Sequence, residues 1–131
     1  MSSETASIRK DRVRVVVLMH RKDDISFEDF DRYWLTQHAK IFTSIDIVKK
    51  NLLKYEQFHF NLAANQVLAS LGIPQTTAAG IAVFEAECFE KIFAIFQDSE
   101  YQRVVVPDEM KFIEREKSQL VAGELASVLD S

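Results

Sequence analysis

A histidine set among apolar residues is the first feature of this sequence that points to chemistry. Phe27, Phe30, Trp34, Ile41, Ile45 and Val48 recur at helical spacing, and His38 falls inside that stripe, one turn after Trp34. An imidazole in such surroundings is desolvated and suits proton transfer near neutral pH. A histidine hydrogen-bonded within a core would show the same spacing. A second group lies at 53–59, where Leu53, Tyr55, Gln57 and His59 take one face of an alternating run. Side chains two apart on a strand project side by side, so these residues form a wall of donors and acceptors. Facing His38, that wall makes an acid/base site; facing water, it is a solvated strand face. His20, beside Arg21 and Lys22, reads as surface.

Other chemistries lack their patterns. The three histidines show no H-x-x-x-H and there is no C-x-x-C, so no metal site is expected. Cys88 has no histidine near it in sequence and reads as a structural thiol. No G-x-S-x-G, P-loop or G-x-G-x-x-G is present, which leaves serine hydrolysis and nucleotide chemistry unsupported. The run at 108–116, DEMKFIERE, interleaves acids with Lys111 and Arg115 and reads as a solvated helix face. Phe84, Phe89, Phe93, Phe96 and Phe112 read as core, some of them bordering any cavity between sheet and helices.

The elements that must position these groups follow from periodicity. Residues 13–19, VRVVVLM, form a strand. Ser26 then caps a helix, with Asp29 as the return partner of a capping box. A strand over 52–60, a short helix over 62–71, a connection over 72–80 and a third strand over 78–87 come next. A helix over 88–97 is followed by another from Asp98, with Pro107 a point of interruption. A fourth strand covers 117–129. The order β-α-β-(α)-β-α-β matches a ferredoxin-like β-α-β-β-α-β layout, an α+β fold with a four-stranded antiparallel sheet. Helices cover one face of such a sheet. The other needs a second copy, so a homodimer is expected.

Composition bounds the rest. The chain has 131 residues, 47% hydrophobic and 27% charged, the balance of one ordinary domain at 13–131 after a polar, flexible leader at 1–12. A net charge of −4 lacks the basic footprint of a nucleic-acid binder. No apolar run approaches the ~20 residues of a membrane span, and the N-terminus has no signal-peptide core. One cysteine forms no internal disulfide and suits a reducing, cytoplasmic setting. Ten Phe against three Gly suit a large aromatic interior.

The stretch SFEDFDRYWLTQHAKIF (26–42) resembles the EthD-type group of dimeric α+β barrel proteins, whose first helix carries W-x-x-x-H, here Trp34 and His38. The resemblance continues through LKYEQFHFN, GIAVFEAE, FQDSEYQRVVVPDEMKFI with its PDE element, and SQLVAGEL. It covers about residues 13–128. The group commonly has proline soon after the histidine; Lys40 stands near there instead, which lets the helix run on toward Val48. Fungal members of similar length sit in aromatic polyketide pathways as small decarboxylases, dehydratases or cyclases without metal or organic cofactor. The resemblance therefore implies a cofactor-independent lyase acting on an aromatic polyketide-type acid. It maps the family histidine onto His38 and its aromatic neighbour onto Trp34. More loosely, it places Tyr55 and His59 among pocket polar groups. On this reading His38 moves the proton and Tyr55 or His59 stabilises the enolate. Trp34, Gln57, Phe30, Phe42, Phe84 and Phe93 hold the substrate. Cyclisation, cofactor-free anthrone-type oxygenation and a non-enzymatic hydrophobic ligand carrier are the rival readings.

Overall fold

The computed structural model describes residues 6–130. Four strands, β1 (Val13–Met19), β2 (Lys54–His59), β3 (Gly80–Ala86) and β4 (Gln119–Gly123), form one sheet in the order β2-β3-β1-β4, every pair antiparallel. This is the expected ferredoxin-like α+β topology. The period of two sorts the residues onto two faces. Cross-strand register puts Tyr55, Phe84 and Val15 in one row on the helix-bearing face, Gln57, Ala82, Val17 and Leu120 in the next, and His59, Gly80 and Met19 in a third.

The first helical segment departs from one continuous stripe. Ser26 caps α1 (Phe27–Tyr33), its hydroxyl accepting from the Asp29 N–H at 3.1 Å. The Asp29 carboxylate turns to Arg32 instead of closing a capping box. A π-helical turn follows over Trp34–His38, and then α2 (Ala39–Ser44). The extra residue of the π turn shifts the phase of the stripe. Phe42 is buried instead of Ile41, and the buried line runs Phe30, Trp34, His38, Phe42, Ile45, Val48. The helix does not run on to Val48. Ile45 is extended, with φ −81° and ψ 144°, and a separate α3 (Asp46–Asn51) begins after it.

The short α4 (Leu62–Ser70) buries none of its residues and ends toward Gly72, whose φ of 82° favours glycine. On α5 (Phe89–Gln97), Ile92 and Ile95 face the sheet. A second π-helical turn, Tyr101–Val105, leads into α6 (Val106–Glu109). The backbone stays helical through Pro107, where the sequence suggested an interruption. A proline ring clashes with the carbonyl four residues back in a regular helix, and the widened turn before it relieves that crowding.

Phe30 and Trp34 are fully buried at the centre of the core, and burying side chains of this kind stabilises the fold by about 1.5–3 kcal/mol each. Trp34 sits over Gly80. A Cβ on that strand glycine would lie 2.6 Å from the Trp34 ring, so the close approach requires glycine. Of the expected leader at 1–12, residues 1–5 lie outside the described residues. From Ile8 onward the segment is held, since Ile8 bridges Ala126 and the Arg9 N–H donates to the Leu125 carbonyl at 2.7 Å. On the outer face, buried Glu85 accepts from Arg12 Nη1 at 2.5 Å and Arg14 Nε at 2.9 Å.

Candidate active site

A cavity of about 500 Å³ opens between the helix-bearing face of the sheet and the helices. Met19, Phe42, Phe84, Phe96 and Ile113 supply apolar walls, and His38, Tyr55, Tyr101, Glu109 and Arg115 supply polar groups. That balance, with few polar groups among many apolar ones, is typical of small-molecule sites.

His38 is the centre of it. The π turn carries the ring to the cavity, where the residue is 5% exposed. Its Nδ1 donates to Asp108 Oδ2 at 2.7 Å, and Asp108, itself buried, also accepts from the Tyr33 hydroxyl. The carboxylate fixes the proton on Nδ1 and leaves Nε2, which has no partner among the described residues, for the cavity. Phe112 packs against the imidazole edge at 5.0 Å. Burial together with the bond to Asp108 pushes the Tyr33 hydroxyl up to about 12, so it stays a donor to that carboxylate.

Beside this pair stands a second cluster that the sequence reading missed. Glu109 accepts from the Tyr101 hydroxyl at 2.8 Å and from Arg115 Nε at 3.1 Å. Burial raises the Glu109 carboxyl, against the Tyr101 hydrogen bond and the attraction of His38 and Arg115. Burial likewise raises the Tyr101 hydroxyl, helped by the Glu109 charge. The run at 108–116 is therefore not simply a solvated helix face. Its first two residues turn inward because α6 is too short to bury a full stripe and its N-terminal turn abuts the π turns. The PDE element was the signal that could have found them.

The expected site residues divide. His38, Trp34, Tyr55, Phe42 and Phe84 line the cavity. Phe30 does not. It lies behind Trp34, packed between that indole at 5.8 Å and Phe112 at 5.5 Å. Phe93 does not either. It is 46% exposed on the outer side of α5 and stacks on Phe89, because Ile92 and Ile95 take the inward positions. His59 and Gln57 share the Tyr55 strand face as expected, but the Trp34 ring covers His59 at 4.5 Å and keeps it from the cavity. His59 instead borders a separate open hollow beside α4.

Those two residues continue inward as a hydrogen-bonded chain. His59 Nδ1 meets Asp31 Oδ1 at 2.6 Å and its Nε2 meets Gln57 Oε1 at 2.7 Å. Gln57 Nε2 donates to the Trp34 carbonyl at 3.1 Å and to the Tyr55 hydroxyl oxygen at 2.9 Å. Burial raises the Tyr55 hydroxyl. The Trp34 indole N–H is buried, completes no hydrogen bond among the described residues, and is directed at the Tyr55 oxygen, opposing the rise that burial gives it. No group of three or more metal-ligating side chains occurs among the described residues. No helix among them is long and apolar enough to cross a membrane.

A family model for the EthD domain matches residues 22–116, which spans both the Trp34–His38 turn and the Asp108–Glu109 pair. Among solved structures, the chain is similar to an ethyl tert-butyl ether d (EthD) family protein of Bacillus halodurans C-125, with 16% identity and a TM-score of 0.58 over 87% of this chain and 98% of that one. It is also similar to a hypothetical Arabidopsis thaliana protein, with 14% identity and a TM-score of 0.60 over 95% and 96%. A third is a dimeric protein of unknown function and ferredoxin-like fold from Bacteroides fragilis NCTC 9343, with 15% identity and a TM-score of 0.51 over 88% and 97%. These likenesses concern the fold. No curated protein matches the chain. With the family model covering most of its length, the chain belongs to the EthD domain family.

Proposed function

We propose that the protein is a cofactor-independent lyase that moves a proton on a flat, oxygenated aromatic acid of polyketide type. The observation that carries this reading is the His38–Asp108 pair, buried at the wall of an apolar cavity with Nε2 left open. His38 Nε2 takes a proton from the carbon next to a substrate carbonyl, and Asp108 stabilises the imidazolium that forms. Tyr55, on the same cavity wall, donates to the enolate oxygen. The enolate then expels a β-hydroxyl group, and His38 returns the proton to it, so water leaves and the catalyst is restored. With a β-keto acid the same groups serve decarboxylation. The substrate's carboxyl proton passes first to His38 Nε2, the carbon–carbon bond electrons flow to the carbonyl that Tyr55 holds, carbon dioxide leaves, and His38 delivers that proton to carbon, which restores the neutral base. The phenyl rings of Phe42, Phe84 and Phe96 suit a planar substrate and exclude water.

The test is turnover of a panel of aromatic β-hydroxy ketones and β-keto acids, with product mass recorded. Loss of water or of carbon dioxide is expected from the wild type and about 10²–10⁴-fold less from His38→Gln. Wild-type turnover by that variant removes His38 from the mechanism. A product of unchanged mass with a new ring assigns cyclisation instead, and a gain of oxygen assigns oxygenation.

The working unit in this proposal is a homodimer. Val16, Val83 and Val121 form one row across the outer sheet face, and Leu18, Ile81 and Phe58 a second. Phe58 and Val121 stay exposed on this face, α4 stands beside Phe58 and Ile81 only across an open hollow, and the Bacteroides fragilis neighbour is described as dimeric.

A further inference from the structure

The chain Asp31–His59–Gln57–Tyr55 crosses the fold from the hollow beside α4 to the cavity that holds His38. Its donor and acceptor senses are fixed by chemistry. The Trp34 carbonyl can only accept, so the Gln57 amide must turn its NH₂ toward it. The same NH₂ then faces the Tyr55 oxygen, and the Gln57 carbonyl faces His59 Nε2. The Gln57 carbonyl oxygen can only accept, so His59 Nε2 donates to it, while Nδ1 holds the ring against Asp31. Every bond therefore points the same way from His59 inward. It ends with a Tyr55 oxygen that has accepted a proton donor from the protein and keeps its own O–H for the cavity.

We infer that Gln57 and His59, anchored by Asp31, are positioning residues that aim the Tyr55 hydroxyl as a hydrogen-bond donor to a ligand carbonyl or enolate oxygen. The inference rests on the functional reading above for the identity of that oxygen. A second observation points the same way: the buried Trp34 indole N–H, which completes no hydrogen bond of its own, is also directed at the Tyr55 oxygen and, with Gln57, opposes the rise that burial gives that hydroxyl, so the oxygen faces two donors and has only its own O–H to give. An oxygen acceptor in the cavity supplies what the Tyr55 O–H lacks. Rotating the Gln57 amide would set its oxygen against the Trp34 carbonyl, and it would draw the Tyr55 proton away from the cavity. His59 blocks that rotation by donating to Gln57 Oε1.

The experiment compares 1-tetralone with tetralin, which differ in the ketone oxygen, by titration calorimetry. The wild type is expected to prefer the ketone by about tenfold, the worth of one or two net hydrogen bonds. Gln57→Leu and His59→Leu are expected to bring the two affinities level with tetralin binding unchanged, while His59→Gln, which keeps a donor toward Gln57, retains the preference. If a leucine variant loses tetralin as well, Gln57→Glu keeps the volume. It is expected to lose the preference alone, because a carboxylate takes the Tyr55 proton. A wild type with no preference overturns the inference, as does a preference that survives Gln57→Leu or Gln57→Glu. Binding and turnover separate the two claims. A preference that follows Gln57 and His59 while turnover ignores His38 leaves this inference standing and sinks the functional reading. Turnover that needs His38 with a preference indifferent to Gln57 does the reverse.

Discussion

His38 and Asp108 stand 70 residues apart in the chain, yet their side chains meet at 2.7 Å inside the fold, both nearly inaccessible to water. Two π-helical turns make that meeting possible. The one at Trp34–His38 carries the imidazole, and the one at Tyr101–Val105 ends where α6 begins, two residues before Asp108. A buried carboxylate that also accepts from Tyr33 keeps its charge satisfied and fixes the imidazole tautomer.

Asp108→Asn tests that role directly. An amide at this site can turn its NH₂ toward His38 Nδ1 and select the opposite tautomer, with the proton on Nε2. The base is then lost although the ring stays in place. Turnover is expected to fall by about 10² or more, with ligand affinity nearly unchanged, measured as kcat against Kd. Asp108→Asn activity within threefold of the wild type would contradict the pairing as the source of basicity (a threshold of roughly that size lies within ordinary context effects).

Much of this was readable before folding, and the reasons differ by element. The strands were legible because the β-branched apolar run at 13–19 and the alternation in 52–60 are local properties of adjacent residues. His38 was legible because one polar residue in an apolar stripe stands out. Asp108 and Glu109 were not, because a short helix rich in charge has the same composition whether two of its acids face in or out. Phe30 and Phe93 were misjudged for a related reason. Aromatic type does not say whether a ring lines a cavity, backs one, or faces water, and only the phase of each helix decides that. The phase in turn was altered by a π turn that no periodicity announces. His59 was assigned to the right strand face, and what the sequence could not show was that Trp34 would lie across it, a placement that depends on Gly80.

Gly80→Ala is therefore expected to be costly out of proportion to one methyl group. The new Cβ would meet the Trp34 ring at 2.6 Å, and that ring is fully buried against Phe30 and His59 with nowhere to retreat. Overpacking of this kind costs about 1–3 kcal/mol, which urea unfolding would read as a lower midpoint at an unchanged slope. The displaced indole also shifts the Gln57 anchor on the Trp34 carbonyl, so ketone preference should weaken with it. Wild-type stability in Gly80→Ala would mean that Trp34 is free to move.

Glu109 gives the stability a pH dependence. Burial raises its carboxyl above the ordinary value near 4.5 in the folded chain, so the native state holds this proton more tightly than the unfolded one. Over the window from the unfolded value up through the raised folded value, the native state binds more protons. Stability contributed by this group is then full at low pH and falls as pH rises through that window. Glu109→Gln cannot titrate and is expected to flatten this part of the profile, measured by urea unfolding at a series of pH values. A wild-type profile that climbs through the window and is unaltered by Glu109→Gln would refute the raised carboxyl.

The outer sheet face makes the last prediction. Val16 lies in the row Glu56–Val83–Val16–Val121, on the central part of the sheet and one row from the Arg14–Glu85 pair, whose charges Arg12 helps to satisfy. A second copy laid against this face would bury both apolar rows, and a lysine there would bring an ammonium of each copy into the same dry contact, where an unpaired charge costs several kcal/mol. In the isolated chain the same lysine reaches water, so the fold itself should tolerate it. Light scattering at micromolar concentration is expected to give two copies for the wild type and one for Val16→Lys, with far-ultraviolet circular dichroism unchanged. A monomeric wild type would mean that the face is not closed by a second copy, and a Val16→Lys dimer would move the contact to another surface.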